Sequence, residues 1–388
     1  MYKTTYEQQG YVVIPGVLSP VQVEELNDSI LHDLFQIVFR DERRVPSYRQ
    51  ADNMLLLTNY DLRKKKLSNP ECVWENGNSR QPIYTKTSGM VNLCYNPLQQ
   101  EYVHFNPTVV EHIANLYNEH KLAYLHGPDR VSVKVRGTND MPLHLDHNLF
   151  HRLTEPGLDG RFEERVQALV CGSIPTDVDL QESGTIALIP YFHHYFVLAK
   201  EFFHPQRGWR PLTDKKRPFH KLGKEFLDLL DDFNDFIREY TPVYHALKDG
   251  QPSDSIRGNR EVIQFAERHF IDVPEECHTL ELTPLACEPG DLICFNQKLP
   301  HRNLRNNSLT PRIAYYVRLF KVPEGWHGGH EHRALLARTS SGVAETEQRQ
   351  ARSNSLERTI LGRDGSYQTE CPAQRELYNK LTAQTPYR

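Results

Sequence analysis

The 388-residue sequence contains no apolar run that approaches the roughly 20 residues needed for a membrane helix. Its first residues also lack the basic head and long apolar segment of a secretory signal. Charge of one sign is not in excess, because 46 Lys and Arg residues stand against 50 Asp and Glu residues, for a formal net charge of −4. A balance this close to neutral gives no global field that would attract an anionic membrane or nucleic acid. We therefore expect no membrane span, and nucleic acid is not the expected partner.

Cysteines are few and scattered, and no two of them form a CxxC pair. An odd number of scattered cysteines in a chain of this length does not indicate a disulfide framework or a zinc module. The sequence predicts reduced thiols and hence a soluble, cytoplasmic protein. The seven cysteines are Cys72, Cys94, Cys171, Cys277, Cys287, Cys294 and Cys371.

Helical signals dominate the N-terminal part of the chain. Apolar residues make up only 38% of the sequence, but aromatic residues make up 10%, which supplies enough material for a core. Ser19, Pro20 and Gln22 form a capping-box helix start. Apolar residues then recur at steps of three and four, which predicts an amphipathic helix. A second, shorter helix is expected over residues 107–120.

The pattern changes to a period of two from Arg130 onwards, where Val131, Val133 and Val135 alternate with polar residues. This alternation predicts a half-buried strand. Many short strands separated by turn signals favour an antiparallel sandwich or barrel. Further strands are predicted over residues 166–174, 185–191, 279–286, 292–296 and 313–320.

A helical pattern returns over about 196–268, between the predicted strands, and is interpreted as an insertion. One β core with helical additions fits this order better than separate domains. We therefore predict an α+β fold with one domain over 1–322, whose β core covers about 130–320. Residues 323–388 form a polar C-terminal extension with a short helix near 374–381.

The main chemical signal is the triplet His144-Leu145-Asp146. Side chains two residues apart on an extended segment project to the same face, so an imidazole and a carboxylate lie side by side. With His301 as a third ligand, the set is two histidines and one carboxylate, the facial triad of non-haem Fe(II) oxygenases. An HxD triplet can arise by chance in a chain with 19 histidines. The order of the flanking strands and the segment leading to His301 favour the metal site.

Arg312 lies eleven residues after His301 and opens a predicted strand. A guanidinium at this place could bind a carboxylate through two parallel hydrogen bonds. The alternative, a surface arginine on a strand, would be preferred if His301 were absent.

Several of these features together resemble the phytanoyl-CoA dioxygenase family of Fe(II)/2-oxoglutarate-dependent oxygenases. They are the apolar segment 11–18 with the capped helix after it, the HxD triplet, and the run ESGTIALIP over 182–190. The fourth is an ending in which Gly290-Asp291-Leu292 leads to His301 and then Arg312. Where family members usually have IPGSH, this chain has IPYFHH over 189–194, which affects the expected substrate cover and leaves the metal site unchanged.

The resemblance implies a double-stranded β-helix (jelly-roll) core with flanking N-terminal helices. Fe(II) would be held by His144, Asp146 and His301, and Arg312 would bind the distal carboxylate of the co-substrate 2-oxoglutarate. Asn303 and Lys134 are weaker candidates for contacts with the co-substrate. The implied reaction uses O2, releases succinate and CO2, and hydroxylates a small-molecule substrate.

The resemblance bears on the outcome of the reaction as well, because related halogenases have a small residue where this chain has Asp146. The carboxylate therefore favours hydroxylation or desaturation. Two alternatives stay open at this stage. The first is the same chemistry on a protein or nucleic acid, for which the basic runs at 63–66 and 214–217 would be responsible. The second is a jelly-roll binding protein without catalysis.

Overall fold

The computed structural model describes residues 1–39, 83–85, 90–94, 97–104, 106–117, 121–124, 130–145, 165–203, 224–321, 335–338 and 343–346. Four features expected from the sequence lie outside these ranges. They are the ligand Asp146, the two basic runs and the helix near 374–381.

Helices occupy two parts of the chain, as the sequence predicts. The N-terminal set is α1 (Tyr2–Gln9), α2 (Pro20–Phe39), α3 (Pro97–Gln99), a π-helical turn (Gln100–His104) and α4 (Pro107–Tyr117). The insertion consists of α5 (Phe196–Phe202), α6 (Lys224–Asp228), α7 (Leu230–Lys248) and α8 (Arg260–Arg268). The backbone N–H of Ser19 donates to Gln22 Oε1 at 3.0 Å, and the backbone N–H of Gln22 donates to Ser19 Oγ at 3.3 Å. These two bonds confirm the predicted capping box.

The strands form two antiparallel sheets. They are β1 (Tyr11–Ile14), β2 (Ile83–Thr85), β3 (Met90–Cys94), β4 (Lys121–Tyr124), β5 (Arg130–Lys134), β6 (Arg165–Ser173), β7 (Ile186–Leu188), β8 (Thr283–Pro284), β9 (Leu292–Asn296), β10 (His301–Asn303), β11 (Arg312–Lys321), β12 (Leu335–Arg338) and β13 (Val343–Thr346). The larger sheet has the order β1-β9-β6-β11-β4-β12-β13, with β5, β3 and β2 added beside β11. The smaller has the order β10-β7-β8.

The large sheet separates two hydrophobic cores. Successive residues of a strand point to opposite faces, so Ala168 and Val170 of β6 pack in the outer core with α2 and α4. Leu169 points the other way, into an inner core shared with Leu188 of the small sheet and Phe233 of the insertion. The two sheets therefore face each other with the insertion helices beside them, which confirms the α+β jelly-roll prediction.

The segment after β7 caps the C-terminal end of α1. The side chains of His193 and His194 donate through Nε2 to the carbonyls of residues 7 and 8, at 3.0 and 2.9 Å. The backbone N–H of Tyr191 donates to the carbonyl of residue 9 at 2.9 Å. Tyr191 has a φ of 63°, in the left-handed region. This backbone reversal ends the strand at Leu188, three residues before the predicted end.

Two strands of the predicted C-terminal extension join the large sheet. β12 pairs with β4 and β13 pairs with β12, all antiparallel. No period-two pattern in the sequence predicts these two strands. Among the described helices, none has the length and apolar character required to cross a membrane.

Candidate metal centre

His144 and His301 lie side by side at the small sheet, where His144 pairs with the first residue of β10. The backbone N–H of His144 donates to the carbonyl of His301 at 3.0 Å, and the backbone N–H of His301 returns the bond at 2.9 Å. The centroids of the two imidazole rings are 4.5 Å apart. A reciprocal backbone bridge thus fixes two of the three predicted ligands relative to each other.

Both imidazoles are oriented by the same local hydrogen bond. Nδ1 of His144 lies 2.9 Å from the carbonyl oxygen of Pro142, and Nδ1 of His301 lies 3.0 Å from that of Leu299. In each case the acceptor is two residues earlier in the chain. Donation from Nδ1–H fixes the tautomer that carries its lone pair on Nε2, as is usual for histidines that bind metals.

Apolar packing holds the two rings in place. Leu143 and Leu145, on either side of His144, are almost fully buried in the inner core. The ring of Phe295 on β9 meets the ring of His301 edge-on, with centroids 4.9 Å apart. The two imidazole rings are therefore held by packing as well as by hydrogen bonds.

The third predicted ligand, Asp146, lies outside the described residues. Within those residues no group of three His, Cys, Asp or Glu side chains could hold a metal ion. Two imidazoles with fixed tautomers match two of the three ligands of a facial triad and suit a divalent first-row transition metal. The donor set present therefore fits Fe(II), with Asp146 required to complete it.

Arg312 is a buried cation with incomplete hydrogen bonding. Its side chain is 3% exposed, and its Nη1 atom has no hydrogen-bond partner among the described residues. Gly184, at a φ of +78°, packs against it, and a Cβ on this glycine would lie 3.1 Å from Cβ of Arg312. A buried charge is costly unless it is paired. The position therefore suits an anionic ligand such as a carboxylate.

Lys134 lies beside Arg312, and the two residues are register partners between β5 and β11. Its ammonium donates to the carbonyls of Asn139 at 2.9 Å and Asn303 at 3.4 Å, and also to that of Leu304. Burial, and then the Arg312 charge, lower the pKa of Lys134 to about 7. The structure thus gives Lys134 a positioning role between β5 and the end of β10, and places its charge next to Arg312.

Asn303 is buried at the end of β10, two residues after His301. Its side-chain Nδ2 lies 3.4 Å from Met90 Sδ and 3.5 Å from the Tyr316 hydroxyl, distances typical of weak hydrogen bonds. All predicted site residues within the described ranges therefore lie in one region. Sequence reasoning missed Tyr316, although its place on the same strand as Arg312, four residues on, was a usable signal.

Two buried glutamines were also missed. Gln167 on β6 is paired with Phe295 on β9. Leu169, two residues further along β6, points into the inner core, so Gln167 faces the same side of the sheet. Gln167 Oε1 and both amide atoms of Gln297 lack hydrogen-bond partners in the described part of the chain, and both side chains are buried. Gln297 lies one residue beyond the last pair of the β6–β9 ladder. A glutamine inside the apolar run VQALV was the signal in the sequence.

Comparison with known proteins gives one family. The family model described as phytanoyl-CoA dioxygenase (PhyH) matches residues 6–314. A search of curated proteins found no match.

Solved structures with a similar fold have low sequence identity. The epimerase SnoN, in complex with Fe3+, alpha ketoglutarate and nogalamycin RO, is 12% identical, with a TM-score of 0.41 over 84% of this chain and 86% of SnoN. HygX from Streptomyces hygroscopicus, with nickel, 2-oxoglutarate and hygromycin B bound, is 13% identical, with a TM-score of 0.39 over 84% of this chain and 87% of HygX.

Proposed function

The chain belongs to the phytanoyl-CoA dioxygenase family, and from that premise we propose that His144, Asp146 and His301 hold its Fe(II) and that Arg312 binds 2-oxoglutarate. Family membership makes it an Fe(II)/2-oxoglutarate-dependent dioxygenase, which uses O2 and releases succinate and CO2. Iron and co-substrate, when bound, supply the oxidising chemistry. The protein supplies position, charge and exclusion of water.

The matched pair of histidines is the observation that carries the proposal. Both imidazoles present the same tautomer, because each Nδ1 bonds to a carbonyl two residues earlier. The backbone bridge between the two residues sets the spacing of the ligands before a metal arrives. A carboxylate at Asp146, two residues after His144, would complete the triad and favours hydroxylation over halogenation.

Charge at the other end of the site supports a dicarboxylate co-substrate. Arg312 and Lys134 are both buried and adjacent, and Nη1 of Arg312 lacks a partner among the described residues. Arg312 would bind the distal carboxylate through its planar fork, and Lys134 would add its charge. Asn303 could turn towards the co-substrate at little cost, because its present hydrogen bonds are weak.

We propose a small molecule as the substrate. The inner core extends from Leu143 and Leu145, beside His144, to Phe192 and to the aromatic side chains Phe226 and Phe233 of the insertion. These packed side chains close the inner side of the site, which suits a compact substrate better than a protein surface or a duplex. Gln167 and Gln297 would contribute uncharged hydrogen-bonding groups. Both lie near the first residues of β6, whereas Cys171 lies near its last residue.

The organisation of the domain stays a prediction. We propose one oxygenase domain over 1–322 with the insertion at about 196–268, followed by the extension 323–388. The pairing of β12 with β4 supports contact between this extension and the domain.

Iron content of variants tests the ligand assignment. Wild-type protein loaded anaerobically should retain one Fe(II) per chain after desalting, and His144→Ala or His301→Ala should lose it, because two ligands cannot hold iron against water. His245→Ala is the matched control, because His245 lies on α7 and its Nε2 atom contacts the carbonyl of Pro274. Full iron content in either ligand variant would refute the assignment.

A further inference from the structure

Gln167 and Gln297 place two carboxamides near the proposed iron ligand His301. Gln167 is paired with Phe295 on β9, and Gln297 follows Phe295 by two residues. The two glutamines therefore stand at diagonal positions across β6 and the end of β9, which are roughly 7–8 Å apart in a regular antiparallel pair. The ring of Phe295, a neighbour of both, meets the ring of His301 with centroids 4.9 Å apart. Both carboxamides thus belong to the side of the site next to His301.

A turn between β9 and β10 fixes the backbone of Gln297. The carbonyl of Asn296 accepts from the N–H of Leu299 at 2.9 Å, and the carbonyl of Leu299 bonds to Nδ1 of His301 at 3.0 Å. Phe295 and Leu299, on either side of Gln297 in the sequence, both pack in the inner core. The short segment that orients the iron ligand therefore also buries Gln297.

The hydrogen-bonding capacity of the two glutamines is unused. Gln167 is 3% exposed and Gln297 is 0% exposed. Gln167 Oε1 and both amide atoms of Gln297 have no hydrogen-bond partner in the part of the chain that the structure describes, so the two side chains do not satisfy each other. By contrast, the buried carboxamide of Asn234 donates to the carbonyl of Leu280 at 2.9 Å and accepts from its N–H at 2.8 Å. Because an unpaired buried polar group is costly, the glutamines suit a polar ligand.

We propose that Gln167 and Gln297 determine the substrate class, an inference that rests on the proposed function. They select an uncharged molecule with hydroxyl or amide N–H groups on the part that binds next to the iron, and they reject a plain hydrocarbon chain. The two amide oxygens need donors and Nε2 of Gln297 needs an acceptor, and a hydroxyl group supplies both. A hydrocarbon chain would leave these atoms buried and unpaired, which is how a polar site discriminates most strongly.

The buried charges favour an uncharged substrate. Among the described residues, Asp291 is the one buried acidic side chain, and its two oxygens accept from the N–H groups of Gly16 at 2.9 Å and Glu288 at 2.8 Å. An ammonium group beside the glutamines would therefore find no carboxylate there except the proposed iron ligand Asp146. Carboxamides bind neutral donors and acceptors without a counter-charge.

Thermal unfolding of the full-length protein without metal, co-substrate or substrate tests whether the glutamines serve a ligand or the fold. Gln167→Met and Gln297→Met keep the length of the side chain and remove an unpaired amide, so both should unfold at or above the wild-type temperature. Asn234→Leu is the matched control and should unfold several degrees lower, because it leaves the N–H and carbonyl of Leu280 unpaired. A decrease in either glutamine variant as large as in Asn234→Leu would overturn the proposal. This measurement involves neither iron nor 2-oxoglutarate, so its outcome is separate from that of the proposed function.

Binding of probe molecules to the protein loaded with Mn(II) and 2-oxoglutarate tests the substrate class. The probes are neutral polyols and amides, each with its deoxy or hydrocarbon analogue, and octanoyl-CoA as an acyl-chain probe. Mn(II) broadens the NMR signals of molecules bound close to it. We expect broadening of polyol or amide signals but not of their analogues, and roughly tenfold weaker binding of the broadened probes to Gln167→Met and Gln297→Met. Equal broadening of the hydrocarbon analogues or of the octanoyl chain, or unchanged binding of the polar probes to both variants, would overturn the proposal.

Discussion

Replacing Arg312 with methionine should remove the proposed co-substrate anchor while leaving the proposed metal ligands in place. Methionine keeps most of the aliphatic stem of a side chain that is only 3% exposed, and it removes the guanidinium. Truncation of one partner of a buried, charge-assisted pair costs about 2–5 kcal/mol. Because 1.4 kcal/mol is about tenfold in affinity, the Kd for 2-oxoglutarate should rise by roughly 30-fold or more.

Arg312→Met also has an expected effect on stability that a structural arginine would not share. Without co-substrate, Arg312 lies beside Lys134, and its charge contributes to lowering the pKa of that lysine. Removal of the guanidinium relieves this repulsion, so thermal unfolding of the protein without co-substrate should occur at or above the wild-type temperature. An arginine needed for the fold would give a marked decrease instead.

Calorimetric titration of 2-oxoglutarate into the Mn(II)-loaded protein measures the predicted change directly. Affinity for the metal should hardly change in Arg312→Met, because Arg312 is not one of the proposed ligands. Arg312→Lys should recover only part of the 2-oxoglutarate affinity, since an ammonium does not reproduce the planar fork. Equal Kd values for wild type and Arg312→Met would refute the assignment of Arg312.

Three further predictions follow from the surroundings of the site. Gly184→Ala should weaken 2-oxoglutarate binding, because the new Cβ would lie 3.1 Å from Cβ of Arg312. Gly250→Ala is the control, because Gly250 has a similar positive φ but open space around it, and it should leave the binding unchanged. Equal Kd values in the two variants would contradict this prediction. The pKa of Lys134 is about 7, and a bound carboxylate favours its ammonium form. Binding of 2-oxoglutarate at pH 8 should therefore take up protons, and its affinity should fall as the pH rises, by up to about tenfold per pH unit. Calorimetry in buffers of different ionisation enthalpy measures the proton uptake, and no uptake would contradict the prediction. Burial, and then the neighbouring His194, lower the pKa of His193 from 6.5 to about 4, so the folded state disfavours its protonation. Stability to urea should therefore fall between pH 6.5 and 4, by up to about 3 kcal/mol, and less in His193→Gln; the same loss in both proteins would contradict the prediction.

Features set by local sequence could be predicted closely. The strand over 292–296 was expected with the bounds that β9 has, because a turn precedes it and its first four residues are apolar. The helix expected over 107–120 is α4, which ends at Tyr117. The capping box at Ser19 depends on only four consecutive residues, and its hydrogen bonds are formed as expected.

Features set by distant contacts could not be predicted from the sequence. The HxD triplet and His301 indicated a metal site, but the backbone bridge that joins the two histidines depends on the packing of both sheets. Lys134 was expected to contact the co-substrate, and nothing local indicated that its ammonium would bind carbonyls near residue 303. Likewise, the strand expected over 185–191 ends early because Tyr191 bonds to the end of α1, far away in the sequence.

Anaerobic absorption titration tests the central claim, an Fe(II)/2-oxoglutarate site built on His144, Asp146 and His301, most directly. Addition of 2-oxoglutarate to the Fe(II)-loaded protein should produce a metal-to-ligand charge-transfer band that saturates at one equivalent per chain. Asp146→Ala and His301→Ala should not develop the band, whereas His245→Ala should develop it in full. Absence of the band in the wild-type protein, or an unchanged band in Asp146→Ala or His301→Ala, would contradict the assignment.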